Sequence, residues 1–110
     1  MSKYTVQALP LFDDDVYKAV SYISNELHNP QAANNLIDGI SSAINKRSEN
    51  PLSFEPCFFP TIDEPYYRIY VGNYVIYYVV NGACMELHRF LYNARDTDRM
   101  FSNESTASES

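Results

Sequence analysis

Side chains suited to acid–base and phosphate chemistry are concentrated in the second half of the 110-residue chain. Glu86 and His88 are candidate bases, and Tyr92 is a candidate proton donor. Arg68 and Arg95 carry planar guanidinium groups, which bind phosphate oxygens in a bidentate manner. These five residues could act together only if the fold places them on one surface. Whether it does depends on the strands and helices that carry them.

Two dipeptides predict the turns of a β-meander. Gly72-Asn73 and Asn81-Gly82 favour the positive φ angles that two-residue hairpin turns need. Each lies between runs rich in tyrosine, valine and isoleucine, which are typical of strands. The sequence therefore predicts a three-stranded antiparallel meander over residues 66–92.

Turn length fixes the strand register, and the register decides which side chains share a face. Val71 is expected opposite Tyr74, and Val80 opposite Ala83. The core face is then predicted to carry Tyr67, Ile69, Val71, Tyr74, Ile76, Tyr78, Val80, Met85, Leu87, Arg89 and Leu91. The opposite face, called the outer face below, is predicted to carry Tyr66, Arg68, Tyr70, Val75, Tyr77, Val79, Cys84, Glu86, His88, Phe90 and Tyr92. Arg68, Tyr77 and Glu86 are expected in one row across the strands, and Tyr70, Val75 and His88 in the next. Arg89 is expected to extend past the sheet edge.

The remaining segments complete an α+β fold with one domain over residues 1–101. Apolar residues recur with helical spacing in two stretches, and the short connection between them predicts an antiparallel helix hairpin packed on the antiparallel sheet. In chain order we expect a strand over Lys3–Leu9, helices over 12–27 and 30–44, a proline-rich loop over 50–65, the meander, a short C-terminal helix over 96–101 and a disordered polar tail over 102–110. Asn29 is expected to cap the second helix, ahead of proline.

Composition narrows the class of protein. Hydrophobic residues make up 45% of the chain, which predicts a folded domain, and no apolar run is long enough to span a membrane. Without an export signal, and with only Cys57 and Cys84, we expect a cytoplasmic protein with reduced thiols. Two cysteines and two histidines lack zinc-ligand spacing, so no metal or other cofactor is expected. The net charge of −6 restricts any polyanion contact to a local arginine cluster.

The order of elements, with the segments NPQAANNLIDGI, YYRIYVGNYVIYYVV and LHRFLYNARD, resembles the RelE/ParE family of toxins from bacterial type II toxin–antitoxin systems. The likeness covers about residues 3–101. It implies a cognate antitoxin as partner and one of two activities, since RelE-like members cut messenger RNA in the ribosome and ParE-like members poison DNA gyrase. In the nucleases the concave sheet face holds the RNA.

The resemblance carries over only at some positions. Arg68 and Arg95 stand where nuclease members have basic residues. Tyr70 and Val75 replace two further basic residues, and Phe101 replaces a tyrosine that some members use. Two matches and three departures therefore leave both activities open.

The first hypothesis is a ribosome-dependent, metal-independent endoribonuclease whose antitoxin covers the outer face. It assigns the catalytic residues as Arg68, His88, Tyr92 and Arg95, and the RNA-binding residues as Tyr70, Tyr77, Glu86 and Arg99. The alternatives are a gyrase inhibitor of the ParE kind, which acts by binding, and an inactive member that retains only antitoxin binding.

Structural explanations for the same residues also stay open. Arg68 and Glu86 can balance each other's charge, and His88 can be an ordinary half-exposed strand residue. Arg95-Asp96 can be a structural pair at a helix start. The acidic run 13–15 lies in the first turn of the predicted helix, where negative charge favours the helix dipole.

Overall fold

The computed structural model describes residues 4–58 and 65–92. The fold is α+β, as predicted. Its elements are β1 (Thr5–Ala8), α1 (Pro10–Ser21), a π-helical turn (Tyr22–Glu26), α2 (Pro30–Arg47), β2 (Tyr67–Val71), β3 (Tyr74–Asn81) and β4 (Cys84–Tyr92). The expected C-terminal helix and polar tail lie outside the described residues. In the described ranges, neither α-helix combines the length and hydropathy that a membrane crossing requires.

The sheet has four strands in the order β1-β4-β3-β2. The three later strands are antiparallel neighbours. β1 lies parallel to β4, with Thr5 opposite Cys84. The prediction of a three-stranded antiparallel sheet was therefore incomplete, because the N-terminal strand joins the same sheet and makes it mixed.

Both helices begin at a proline. Pro10 occupies the first turn of α1, two residues before the predicted start, and Pro30 occupies the first turn of α2. The predicted cap of α2 is confirmed, since the Asn29 side chain accepts a hydrogen bond from the Ala32 backbone N–H at 3.1 Å. The core lies between the helices and the sheet, and its buried members are Phe12, Ile40, Tyr67, Ile69, Ile76, Tyr78, Met85, Leu87 and Phe90.

The first hairpin has the predicted register, with Val71 opposite Tyr74. The second does not. Asn81 pairs with Cys84, so the turn is formed by Gly82 and the residue after it, one position later than expected. Gly82 has a φ of 64°, which a glycine adopts without steric cost.

An irregularity in the ladder between β3 and β4 changes the faces of the last residues. His88 has no partner on β3, and beyond it each β4 side chain points opposite to the prediction. Phe90 enters the core instead of the outer face. Leu91 packs on the outer face, and Tyr92 lies on the helix side, with its ring 5.0 Å from that of Tyr74.

Candidate functional site

Three side chains on the outer face form a continuous hydrogen-bonded chain. The Tyr66 hydroxyl is 2.9 Å from Nδ1 of His88, and Nε2 of His88 is 3.3 Å from Oε1 of Glu86. The side chains of His88 and Glu86 are 23% and 24% exposed. Tyr66 is held by backbone hydrogen bonds to Cys57 just before β2, and His88 is the unpaired residue of β4.

The hydrogen bonds among these three side chains are arranged so that His88 can act as a general base. With the proton on Nε2, the His88 ring donates to Glu86 and accepts from the Tyr66 hydroxyl. A carboxylate that orients an imidazole beside a hydroxyl is an arrangement suited to proton transfer. His88 and Glu86 were predicted from the sequence as candidate bases, whereas Tyr66 had no predicted role. Its signal was its predicted position on the same face as both.

A cavity of about 390 Å³ adjoins this chain. Tyr66, His88 and Arg89 line one side of it, and the apolar corner between β1 and α1, at Leu9, Pro10 and Leu11, lines the other. A small group entering the cavity would therefore meet the phenol and imidazole against an apolar wall.

Arg68 and Tyr70 lie on β2, at the opposite edge of the meander. The guanidinium carbon of Arg68 is 5.9 Å from the centre of the Tyr70 ring, and Tyr70 is 58% exposed. The Arg68 carbonyl accepts a hydrogen bond from Nη1 of Arg47 at 3.1 Å. These two predicted site residues are close to each other, but they lie two strands away from His88.

The middle of the outer face is closed. Tyr77 lies opposite Arg68, as predicted, but its partner on β4 is Arg89, where Glu86 was expected. Tyr77 and Val75 have no exposed surface, and Cys57, Tyr66 and Leu91 pack against them. The expected RNA contact of Tyr77 is therefore not available in this structure.

The other predicted site residues do not lie beside the hydrogen-bonded side chains of Tyr66, His88 and Glu86. Tyr92 lies on the helix side of the sheet, so the expected grouping of Tyr92 with Arg68 on one face was wrong. Arg95 and Arg99 lie outside the described residues. The structure thus unites His88 and Glu86, adds Tyr66, and leaves Arg68 with Tyr70 as a separate pair.

Arg89 has a structural partner. Its guanidinium bonds both carboxylate oxygens of Asp15 on α1, and this contact raises the pKa of Arg89. Arg89 therefore does not extend past the sheet edge, and Asp15 does more than favour the helix dipole. Its neighbour Asp14 pairs with Lys18 at 3.1 Å. Within the described residues, no three histidine, cysteine or acidic side chains converge as a metal site.

Comparison with known proteins gives one family. A family model described as "ParE toxin of type II toxin-antitoxin system, parDE" matches residues 6–97. No curated protein matches the sequence.

Two solved structures are similar to the chain. One is described as the chromosomal ParDE TA system from P. aeruginosa, with a TM-score of 0.67, 10% identity, and coverage of 83% of this chain and 97% of that chain. The other is described as the RelB-RelE antitoxin-toxin complex from Methanococcus jannaschii, with a TM-score of 0.46, 25% identity, and coverage of 84% and 96%. The first likeness supports the fold described above.

Proposed function

Because this chain belongs to the ParE toxin family of type II toxin–antitoxin systems, we propose that it arrests growth by binding DNA gyrase and that a cognate antitoxin neutralises it. The family match supports the toxin role and the antitoxin partner. The binding mode, as opposed to RNA cleavage, is supported by the outer face.

The observation that carries the binding mode is the buried centre of the outer face. RNA cleavage needs a base near the 2′-hydroxyl and a cation on the same phosphate. Within the described part of the chain, the base candidate His88 is on β4 and the phosphate-binding candidate Arg68 is two strands away, about 10 Å in backbone separation. The buried Tyr77 lies on the strand between them. Arg89 is near His88, but its guanidinium is bonded to Asp15.

A supercoiling assay tests this function. The purified chain should inhibit supercoiling of relaxed plasmid by purified gyrase, and it should leave relaxation by a type I topoisomerase unchanged. Co-expression of its cognate antitoxin should restore growth. Undiminished supercoiling at a large molar excess of the chain would remove the gyrase proposal.

A second candidate is the ribosome-dependent endoribonuclease, favoured by the hydrogen-bonded chain from Tyr66 through His88 to Glu86. In this alternative His88 takes the proton from the attacking 2′-hydroxyl through Tyr66, and Glu86 stabilises the resulting imidazolium. Mapping messenger RNA ends in arrested cells separates the two candidates. New 5′ ends that disappear with His88→Ala would favour the nuclease.

A further inference from the structure

The Tyr66 hydroxyl has the surroundings of a nucleophile. Its oxygen is 2.9 Å from Nδ1 of His88, and the other ring nitrogen of His88, Nε2, is 3.3 Å from Oε1 of Glu86. Nucleophiles in covalent catalysis are activated in this way, by a base within hydrogen-bond reach that a third group orients. Tyrosine is one of the residues that form covalent intermediates. The order hydroxyl, imidazole, carboxylate therefore suits attack by Tyr66 itself.

The phenol is fixed in place by its own neighbours. Tyr66 exchanges two backbone hydrogen bonds with Cys57, at 2.6 and 2.9 Å. Its ring meets those of His88 and Tyr77 edge to face, with ring centres 5.2 and 6.2 Å apart. Tyr77 has no exposed surface, so this contact lies on the packed part of the outer face. A hydroxyl held in this way loses little freedom when it reacts.

A small molecule can reach Tyr66 and His88, because both line the cavity of about 390 Å³ described above. The facing wall is formed by Leu9, Pro10 and Leu11. The remaining lining residue, Arg89, is paired with Asp15. A phosphate or carboxylate would therefore find no unpaired arginine or lysine among the described residues of this cavity. A neutral molecule with an apolar portion finds a matching wall.

The same wall is the start of α1. Leu9 caps this helix without a side-chain hydrogen bond, and Pro10 is its first residue. The positive end of the helix dipole therefore borders the cavity that Tyr66 lines. Attack of a hydroxyl on a carbonyl group places negative charge on the carbonyl oxygen, and a nearby positive end of a helix favours that charge. A carbonyl compound thus suits the cavity better than other electrophiles do.

We propose that Tyr66 accepts an acyl group from a small neutral ester with a short apolar acyl chain. The Tyr66 oxygen forms a bond to the carbonyl carbon while its proton passes to Nδ1 of His88. Glu86 stabilises the imidazolium. The bond from the carbonyl carbon to the leaving oxygen then breaks, and the imidazolium gives the proton to that oxygen. The products are acyl-Tyr66 and one alcohol, and no further reactant is consumed.

Reaction of the purified full-length protein with p-nitrophenyl butyrate tests the proposal. The wild type should release a burst of p-nitrophenol that approaches one equivalent, and its intact mass should rise by one butyryl group. Tandem mass spectrometry should place that group on Tyr66, although the same tryptic peptide also contains Cys57 and Tyr67. This assignment uses the wild type alone, so it does not depend on the folding of a variant.

Variants of the two histidines test the base. His88→Ala should slow the acylation of Tyr66 by roughly a hundredfold or more, because it removes the proton acceptor. His28→Asn is the matched control at the other histidine of the protein, and it should leave the rate unchanged. Asparagine suits that position because His28 has a φ of 52°. Circular dichroism melting establishes that each variant is folded.

The facing wall determines which esters react. Leu11→Ser should slow the reaction of the butyryl ester more than that of the acetyl ester, because Leu11 is part of the apolar wall. Leu52→Ser is the control, at a leucine that is 51% exposed outside the cavity, and it should slow neither ester. An ester whose acyl chain ends in a carboxylate should acylate wild-type Tyr66 more slowly than the butyryl ester does.

Three results would overturn the proposal. The first is a butyryl group on Cys57, or on exposed tyrosines such as Tyr17, with Tyr66 unmodified. The second is acylation of Tyr66 at the wild-type rate in folded His88→Ala, which would leave the imidazole without a role. The third is an equal effect of Leu11→Ser on both esters, which would remove the apolar acyl chain. The reaction needs neither gyrase nor antitoxin, so its outcome is separate from that of the supercoiling assay.

Discussion

Asp15 binds Arg89 through both carboxylate oxygens, at 2.6 Å to Nε and 3.0 Å to Nη2. The Asp15 Oδ2 atom also accepts a hydrogen bond from the Phe90 backbone N–H at 3.0 Å. α1 is thereby fixed to β4 immediately after His88, the residue at the ladder irregularity. The position of His88 therefore depends on a carboxylate that belongs to a different element.

Replacing Asp15 by asparagine should lower the free energy of unfolding by about 2–3 kcal/mol, because a carboxylate that is 10% exposed loses its charge opposite Arg89. Urea denaturation measures this change. Asp14→Asn is the control, since its pair with Lys18 is exposed and should contribute less than about 0.5 kcal/mol. Equal losses in the two variants would contradict a structural role for the Asp15 contact.

Tyr78 joins three parts of the chain through its hydroxyl. It donates to the Pro51 carbonyl at 2.8 Å and accepts from Nη1 of Arg47 at 2.9 Å. Tyr78→Phe leaves both groups without this partner and should destabilise the fold by about 1–3 kcal/mol. Tyr67→Phe is a matched control, because Tyr67 stacks on Tyr78 and its hydroxyl makes no hydrogen bond among the described residues. A loss as large in Tyr67→Phe would show that ring packing, rather than the hydroxyl, is responsible.

Stability should fall at alkaline pH. Burial raises the pKa of Tyr78 and of Tyr74 above the ordinary value of 10.0, against the lowering effect of Arg47 on Tyr78. The folded chain then holds these protons more tightly than the unfolded chain does. The contribution of these two tyrosines to the free energy of unfolding is therefore constant below about pH 9 and decreases as the pH rises through 10. Urea midpoints between about pH 8 and 11 measure it.

The variant Tyr78→Phe should make this alkaline decrease smaller, whereas Tyr70→Phe, at an exposed ring on β2, should leave it as in the wild type. A decrease that is identical in all three proteins would mean that the buried hydroxyl of Tyr78 is not its source.

Toxicity should not depend on the Tyr66–His88–Glu86 chain if gyrase is the target. His88→Ala and Tyr66→Phe should inhibit supercoiling within about twofold of the wild type once folding is verified. The contrary result is a toxicity at least a hundredfold lower in both variants while each remains folded and still binds the antitoxin. It would assign a catalytic role to the side chains of Tyr66, His88 and Glu86. Glu86→Gln should then show an intermediate effect, since it alters the orientation of His88 but retains the imidazole.

The first hairpin could be predicted in full because its turn dipeptide and its flanking tyrosines and valines agree. The second could not, because Asn81 and Gly82 can serve as turn residues in two positions, and the hydrogen bonds of the folded sheet select the later one. Sequence patterns also could not predict that Phe90 and Leu91 lie on the faces opposite to those expected. Both residues are large and apolar, so neither face excludes either of them.

The candidate site likewise has features that could be predicted from the sequence and features that could not. His88 and Glu86 could be found because alternation placed them on one strand face, and this placement does not depend on the register. The burial of Tyr77 could not be found, since tyrosine suits both exposed and buried positions, and its cover includes Cys57 from a distant loop. The pairing of Asp15 with Arg89 likewise joins two segments whose proximity no local pattern predicts.

The parallel pairing of β1 with β4 has a consequence for synthesis of the protein. β4 is an interior strand, and β1 finds its only described strand neighbour near the other end of the described chain. Such non-local pairing is slow to form and requires closure of a long loop. During translation, β1 and both helices leave the ribosome before the strand that they pack against exists. The four-stranded sheet can therefore form only after β4 has been synthesised, so a message that ends before residue 84 yields a chain without the strand that β1 pairs with.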